Sequence, residues 1–200
     1  MTRTGSENMD KPDPTDFGIL DGISEVIATT RSDASTPNAA PIGIIRDRDR
    51  LCVQLFSGSH TRQNAAGTGK IVANIIHDPV MYVECTFEDP GPEAFEYPDG
   101  MDCPVLKRAS AWILFECNQS KGNMFELTPI RGMIRDKPML CINRGANSVI
   151  EALVHATRYR LNGDARYLDL IRHYDKIVQR CGGSAEKEAI ARLKEIMEIR

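Results

Sequence analysis

No part of this 200-residue chain is apolar for long. The longest unbroken run, "AWILF" at 111–115, falls far short of the roughly 20 residues that a membrane helix needs. The opening "MTRTGSENMDKPDPTDF" has no apolar core of the kind a secretory signal requires, so no membrane contact and a cytoplasmic location are expected. Positive charge is not in surplus either: 25 Lys and Arg stand against 28 Asp and Glu, a net charge of −3. Such a chain has no global field to draw in nucleic acid. None of the six cysteines (Cys52, Cys85, Cys103, Cys117, Cys141, Cys181) stands three positions from another in the CxxC pattern of a zinc site or redox dithiol. Several lie within apolar runs such as "LCVQLF" and "MLCIN", which predicts buried free thiols in a reducing compartment and no metal. The GxxxxGK[ST] phosphate loop is missing, as is any signature of a nicotinamide dinucleotide fold.

What is present belongs to a globular protein. Hydrophobic residues make up 42% and charged residues 26%, ordinary values for a chain that buries a core. The length predicts one domain with an appendage. A polar, proline-containing tail (1–17) is expected to be mobile. "GISEVIATTR" alternates as a strand, and "AAPIGIIRD" with "RLCVQLF" reads as a hairpin closed around Asp47 to Arg50. "TRQNAAGTG" allows one or two helical turns ended by Gly67 and Gly69, before the β-branched strand "KIVANII". "DPVMYVECTF" has Asp78 as N-cap and Pro79 at the first helical position, so a short helix is expected, with a strand as the alternative. Residues 89–104 hold four of the 11 prolines and form a long excursion of the sort used as lids or partner contacts. "KRASAWILFECNQ" and "GNMFELTPIRGMI" add two strands, giving about six antiparallel strands and few helices, the pattern of a small barrel. From Asn147 onward three segments carry apolar residues at three-to-four spacing, separated by Gly163 and Gly182-Gly183. The expected class is mainly β with α: a barrel over 18–142 and a three-helix appendage over 143–200.

Two stretches carry chemistry. In "LFSGSHTRQN" a strand runs into three hydroxyls, a glycine and an arginine ahead of Asn64. Unpaired N–H groups at a helix start carry partial positive charge, so a turn of this composition suits a phosphate. Ser59 and Thr61 would donate hydrogen bonds, and Arg62 or His60 would supply charge; a solvated turn with Ser59 as a plain N-cap is the competing reading. In "NAAPIG" (38–43), small residues and a proline let a flat ligand lie against strand backbone; simple edge protection by Pro41 competes with that. A third feature is the stripe Glu151, His155, Arg158 and Asn162 at i, i+4, i+7 and i+11 on one helix face, with Arg144 just ahead. It suits an acidic substrate or a proton relay, or else is only a solvated face.

Taken together, the N-A-A-P-x-G strand, the hydroxyl-Gly-hydroxyl-x-Thr loop with Asn64, and "VANIIHDP" resemble the FMN-binding split-barrel superfamily. More narrowly, the chain resembles an uncharacterised family within it, found in prokaryotes with one-carbon metabolism. The resemblance covers Gly22 to Met81 and returns in "NRGANSVIEALVHATR". It implies a homodimer of antiparallel split barrels with FMN at the interface, acting as an oxidoreductase that passes hydride or electrons to a small-molecule substrate or redox partner. A non-catalytic flavin carrier is the alternative. Carried over by residue, it assigns Ser57, Gly58, Ser59, Thr61, Arg62 and Asn64 to the phosphate and ribityl chain, with His60 or Arg31 as other sources of the cation. It assigns Thr29, Asn38, Ala39, Ala40 and Pro41 to the ring and Asn74 to a further polar contact; Arg144, His155 and Arg158, from the helix stripe, are the candidates for the substrate side.

Overall fold

A computed structural model describes residues 11–32, 34–137 and 143–199. The long strand β1 (Gly22–Arg31) pairs with β2 (Pro37–Asp47) along its whole length, from Gly22↔Arg46 to Arg31↔Pro37. A two-residue turn leads into β3 (Arg50–Gln54), with Arg48 in the left-handed region at φ 55° and its N–H donating to Asp21 Oδ1 at 3.0 Å. After a loop come α1 (His60–Thr68) and β4 (Lys70–Ile75), then α2 (Pro79–Phe87). Two short strands, β5 (Phe95–Glu96) and β6 (Val105–Leu106), precede the hairpin of β7 (Ala111–Lys121) and β8 (Met124–Ile134). The six long strands close into an antiparallel barrel in the order β1-β2-β3-β8-β7-β4, with β4 pairing back onto β1.

Period-two alternation decides what each strand buries. Val26, Ala28, Ile44, Val53, Ile71, Ala73, Phe115 and Phe125 share the barrel interior. Ile27 and Ala39 point the other way, beneath α2. Both faces of β1 are covered, so its burial is unbroken from Val26 to Thr30.

α2 forms as a helix because Asp78 Oδ1 accepts from Val80 N (3.0 Å) and Met81 N (3.4 Å) and Pro79 opens the first turn. Its β-branched and aromatic residues are tolerated because Met81, Tyr82, Val83 and Cys85 are all buried between the barrel and the C-terminal helices. Those helices are α3 (Arg144–Asn162), α4 (Arg166–Cys181) and α5 (Ser184–Ile196). The first starts three residues before the compositional change at Asn147, since Asn143 Oδ1 caps it by accepting from Gly145 N at 2.8 Å.

One expectation needs correction. The tail expected to be mobile through residue 17 is ordered from Asp13, whose carboxylate accepts from Thr15 N (2.9 Å) to start a 3-10 turn over Pro14–Phe17. The sequence continues into Ile19, which is 1% exposed and belongs to the barrel core, so burial holds the turn down; the first ten residues lie outside the described ones. The expected 89–104 excursion is present. It folds back, pairs β5 with β6, and packs Cys103 and Val105 onto Val72, Trp112 and Leu114 of the barrel wall. Asp102 ties it to Lys70 Nζ (2.9 Å) and Arg31 Nη2 (3.0 Å), and those two hydrogen bonds hold its carboxyl down at about 2.

Cys85, Cys103 and Cys117 are buried free thiols that burial pushes up to about 12, 11 and 12. Cys52 and Cys181 are half-buried and free, and Cys141 lies outside the described residues.

Candidate functional site

β2 outruns its neighbour. It pairs with β1 from residue 37 to 46 but with β3 only from Ile44 to Asp47. Among the described residues no strand flanks the other edge of 37–43, the "NAAPIG" stretch. Alternate backbone N–H and C=O groups there are left unpaired, which is costly unless something meets them. Pro41 removes one donor from that stretch.

β3 ends short because the chain turns away at Leu55 into the loop before α1. Gly58 adopts φ 87°, a left-handed conformation that the turn needs and that strains any other residue. Ser59 caps α1: its Oγ accepts from Arg62 N (3.2 Å) and donates to Phe56 O (2.9 Å). Among the described residues the N–H groups of His60 and Thr61, at the start of the helix, have no carbonyl partner, as expected for a helix N-terminus. Thr61 is 4% exposed and its Oγ1 accepts from Asn38 Nδ2 at 3.1 Å. Asn64 Nδ2 donates to Thr30 Oγ1 at 3.1 Å, and Ala65 enters the barrel core. Thus α1 plugs the barrel mouth beside the unpaired edge of β2, and its open end carries the hydroxyl-rich loop.

Arg62 Nη1 donates to Ser57 Oγ (2.6 Å) and to Asn123 Oδ1 (2.9 Å), and the guanidinium lies 6.0 Å from the Phe125 ring centroid. Asn123 is not among the residues singled out from the sequence; register brings it here, since β8 pairs with β3 at Gln54↔Met124 and sets the β7–β8 turn beside the loop that holds Ser57.

Other assigned residues sit elsewhere. Thr29 and Asn74 are wholly buried on the outer barrel wall, under the folded-back excursion. Thr29 Oγ1 donates to Pro104 O (2.5 Å), while Asn74 Nδ2 donates to Ile27 O (2.9 Å) and Thr29 Oγ1 (3.0 Å). Asn74 Oδ1 accepts from Leu106 N at 2.9 Å. Their polar groups thus fasten the excursion to the wall. Ala39 is buried beneath α2, whereas Ala40 and Pro41 are half-buried.

Within one chain the helix stripe and α1 pack mainly on different elements. α1 packs on β1, β2, β4 and β7, whereas α3 packs on α2, α4 and α5. His155, 9% exposed, is stacked between Tyr174 (5.6 Å) and Tyr167 (5.8 Å) of α4. Burial, then the charge of Arg158, lowers its pKa against the opposing pull of Glu151. Arg158 and Glu151 are exposed, and Arg144 opens α3 about two turns before Glu151. Among the described residues no group of three or more His, Cys, Asp or Glu is placed to hold a metal ion, and no helix is long and apolar enough to cross a membrane.

Comparison with known proteins joins these observations. The model of the N-terminal domain of a family described as protein of unknown function (DUF447) matches residues 24–136, and a second model of the same description matches 143–195. A crystal structure from Methanosarcina mazei, described as an FMN-bound protein with the DUF447 family model, is 44% identical. The match covers 92% of this chain and 100% of that one, with a TM-score of 0.86. An uncharacterised protein of Methanocaldococcus jannaschii is 26% identical over 194 residues, spanning 88% of this chain and 96% of its own length.

Proposed function

This chain belongs to the DUF447 family, and we propose that it is a flavoprotein whose FMN lies between the start of α1 and the unpaired edge of β2. The observation that carries the reading is that edge: among the described residues no strand lies alongside 37–43 of β2, and Asn38 in it bonds Thr61 at the start of α1. The 44% identical protein of Methanosarcina mazei, described as FMN-bound, supports the choice of ligand.

The residues present fit the group. FMN ends in a phosphate dianion, and the free N–H groups of His60 and Thr61, with the Arg62 guanidinium, form a cationic end for it. The isoalloxazine ring has one polar edge of alternating acceptors and a donor, matched by the alternating N–H and C=O groups of Ala39 to Gly43. Asn38 and Thr61 hold strand and helix at a fixed spacing. Bound FMN supplies hydride or electron transfer. The chain binds it, orients it and keeps water off one face of the ring. In our reading two chains complete the site as a homodimer, and the open face admits a small-molecule substrate or a redox partner.

The test begins with the absorption spectrum of the purified protein and mass identification of what heat releases. A colourless protein that refuses added FMN overturns the reading. Anaerobic titration with reduced nicotinamide cofactors then decides the role: bleaching of the flavin band supports an oxidoreductase, and an unchanged band favours an electron carrier reduced by another protein.

A further inference from the structure

We infer that Asn123, in the turn between β7 and β8, is a positioning residue for the cofactor phosphate, acting through Arg62. The inference rests on the FMN reading above and adds a third segment to it, distant in sequence from both β2 and α1.

Nη1 of Arg62 carries two hydrogens, and both are taken, one by Ser57 Oγ at 2.6 Å and one by Asn123 Oδ1 at 2.9 Å. The Ser57 hydroxyl in turn lies 3.3 Å from Asn123 Oδ1 and donates to it, which closes a triangle of three side chains. What remains is the other edge of the guanidinium, Nε with Nη2, which has no hydrogen-bond partner among the described residues. That edge presents two parallel N–H groups and is suited to bidentate contact with a phosphate. Ser57 therefore serves as a spacer within the triangle, its single hydrogen being spent on Asn123.

Asn123 is itself well held. Its carbonyl accepts from Leu55 N at 2.8 Å, and the preceding Gly122 adopts φ 60° with its carbonyl bound by Gln119 Nε2 at 2.7 Å. The Phe125 ring, two residues further along, lies against the guanidinium. A free arginine side chain loses much rotamer freedom when it grips a ligand, and one already fixed by neighbours loses less on binding. Bracing by Asn123 thus favours a ligand with a phosphate over the same ligand without one.

The experiment compares FMN with riboflavin, which lacks the phosphate, in apo-protein prepared from wild type, Asn123→Ala, Arg62→Ala and the double variant. The wild type is expected to bind FMN more tightly than riboflavin. Asn123→Ala should weaken FMN about tenfold, with riboflavin affinity and the apo-protein melting temperature unchanged. In the Arg62→Ala background the same substitution should add nothing, because its effect passes through that arginine. Asn123→Asp keeps shape and acceptor and serves if the alanine variant does not fold. Its charge opposes the phosphate, so a selective loss of FMN is again expected. Equal losses for both flavins, unchanged FMN affinity, or losses that simply add all overturn the inference. A wild type that binds neither flavin overturns the flavin reading, and this inference with it; one that binds both equally overturns this inference alone.

Discussion

Asn38 Nδ2 donates to Thr61 Oγ1 at 3.1 Å, and this bond joins the unpaired half of β2 to the first turn of α1. Both side chains are buried, so neither finds water if the bond is lost. The joint therefore sets the distance between the two halves of the proposed flavin site. Thr61→Val keeps the shape of the side chain and removes the acceptor. An orphaned amide donor is expected to cost about 1–3 kcal/mol of stability, and FMN affinity should fall together with it. Urea denaturation and flavin titration measure the two effects; a variant unchanged in both would show that the joint contributes nothing.

Asn74 should behave in the opposite way with respect to ligand. Its side chain links Ile27, Thr29 and Leu106 and makes no hydrogen bond to a described residue of α1 or its loop. Asn74→Ala is expected to cost about 2–4 kcal/mol and to loosen the 97–102 segment, while FMN affinity of the folded protein stays close to wild type. Limited proteolysis reads the loosening. Lost flavin binding in a stable variant would instead return Asn74 to the cofactor site.

Acid should weaken the C-terminal helices through His155. Its folded pKa lies below the ordinary 6.5 because burial between two tyrosine rings disfavours the imidazolium, Arg158 adds to this and Glu151 opposes it. A lowered folded pKa means the unfolded chain takes up the proton first. Stability is thus full above about pH 6.5 and declines as pH falls through the folded value. His155→Phe keeps an aromatic ring in the stack and carries no proton, so the slope of unfolding midpoint against pH between about 7 and 5 should flatten. An unaltered slope would assign the acid sensitivity to other groups.

Gly145 marks a backbone contact. A Cβ built there would lie 2.5 Å from Gly182 Cα and 2.8 Å from its nitrogen, so α3 and the end of α4 meet main chain to main chain. No rotamer relieves such a clash. Gly145→Ala is expected to lower stability by about 1–3 kcal/mol, measured by thermal unfolding, with the barrel's flavin binding retained once folded.

Local chemistry made much of this molecule legible. Asp78 followed by Pro79 specified the start of α2, although the run behind them also suits a strand. Gly163 and Gly182 ended α3 and α4 where the apolar periodicity stopped. The mobile tail was misjudged because Asp13, Pro14 and Ile19 act through burial against strands that composition does not reveal.

By itself, the sequence determined the order and type of the long strands and helices, which side chains alternate inward, and that the hydroxyl-rich loop precedes a helix. Each of these rests on neighbours a few residues apart, through caps, periodicity and turn chemistry. Only the tertiary structure decided that β3 stops short and leaves the edge of β2 open, that Thr29 and Asn74 fasten a folded-back segment, and that His155 is shut between tyrosines. The same holds for Asn123, which meets Arg62 across 61 positions of chain. Barrel closure and hairpin register set such contacts, and register depends on all the strands at once rather than on any one stretch.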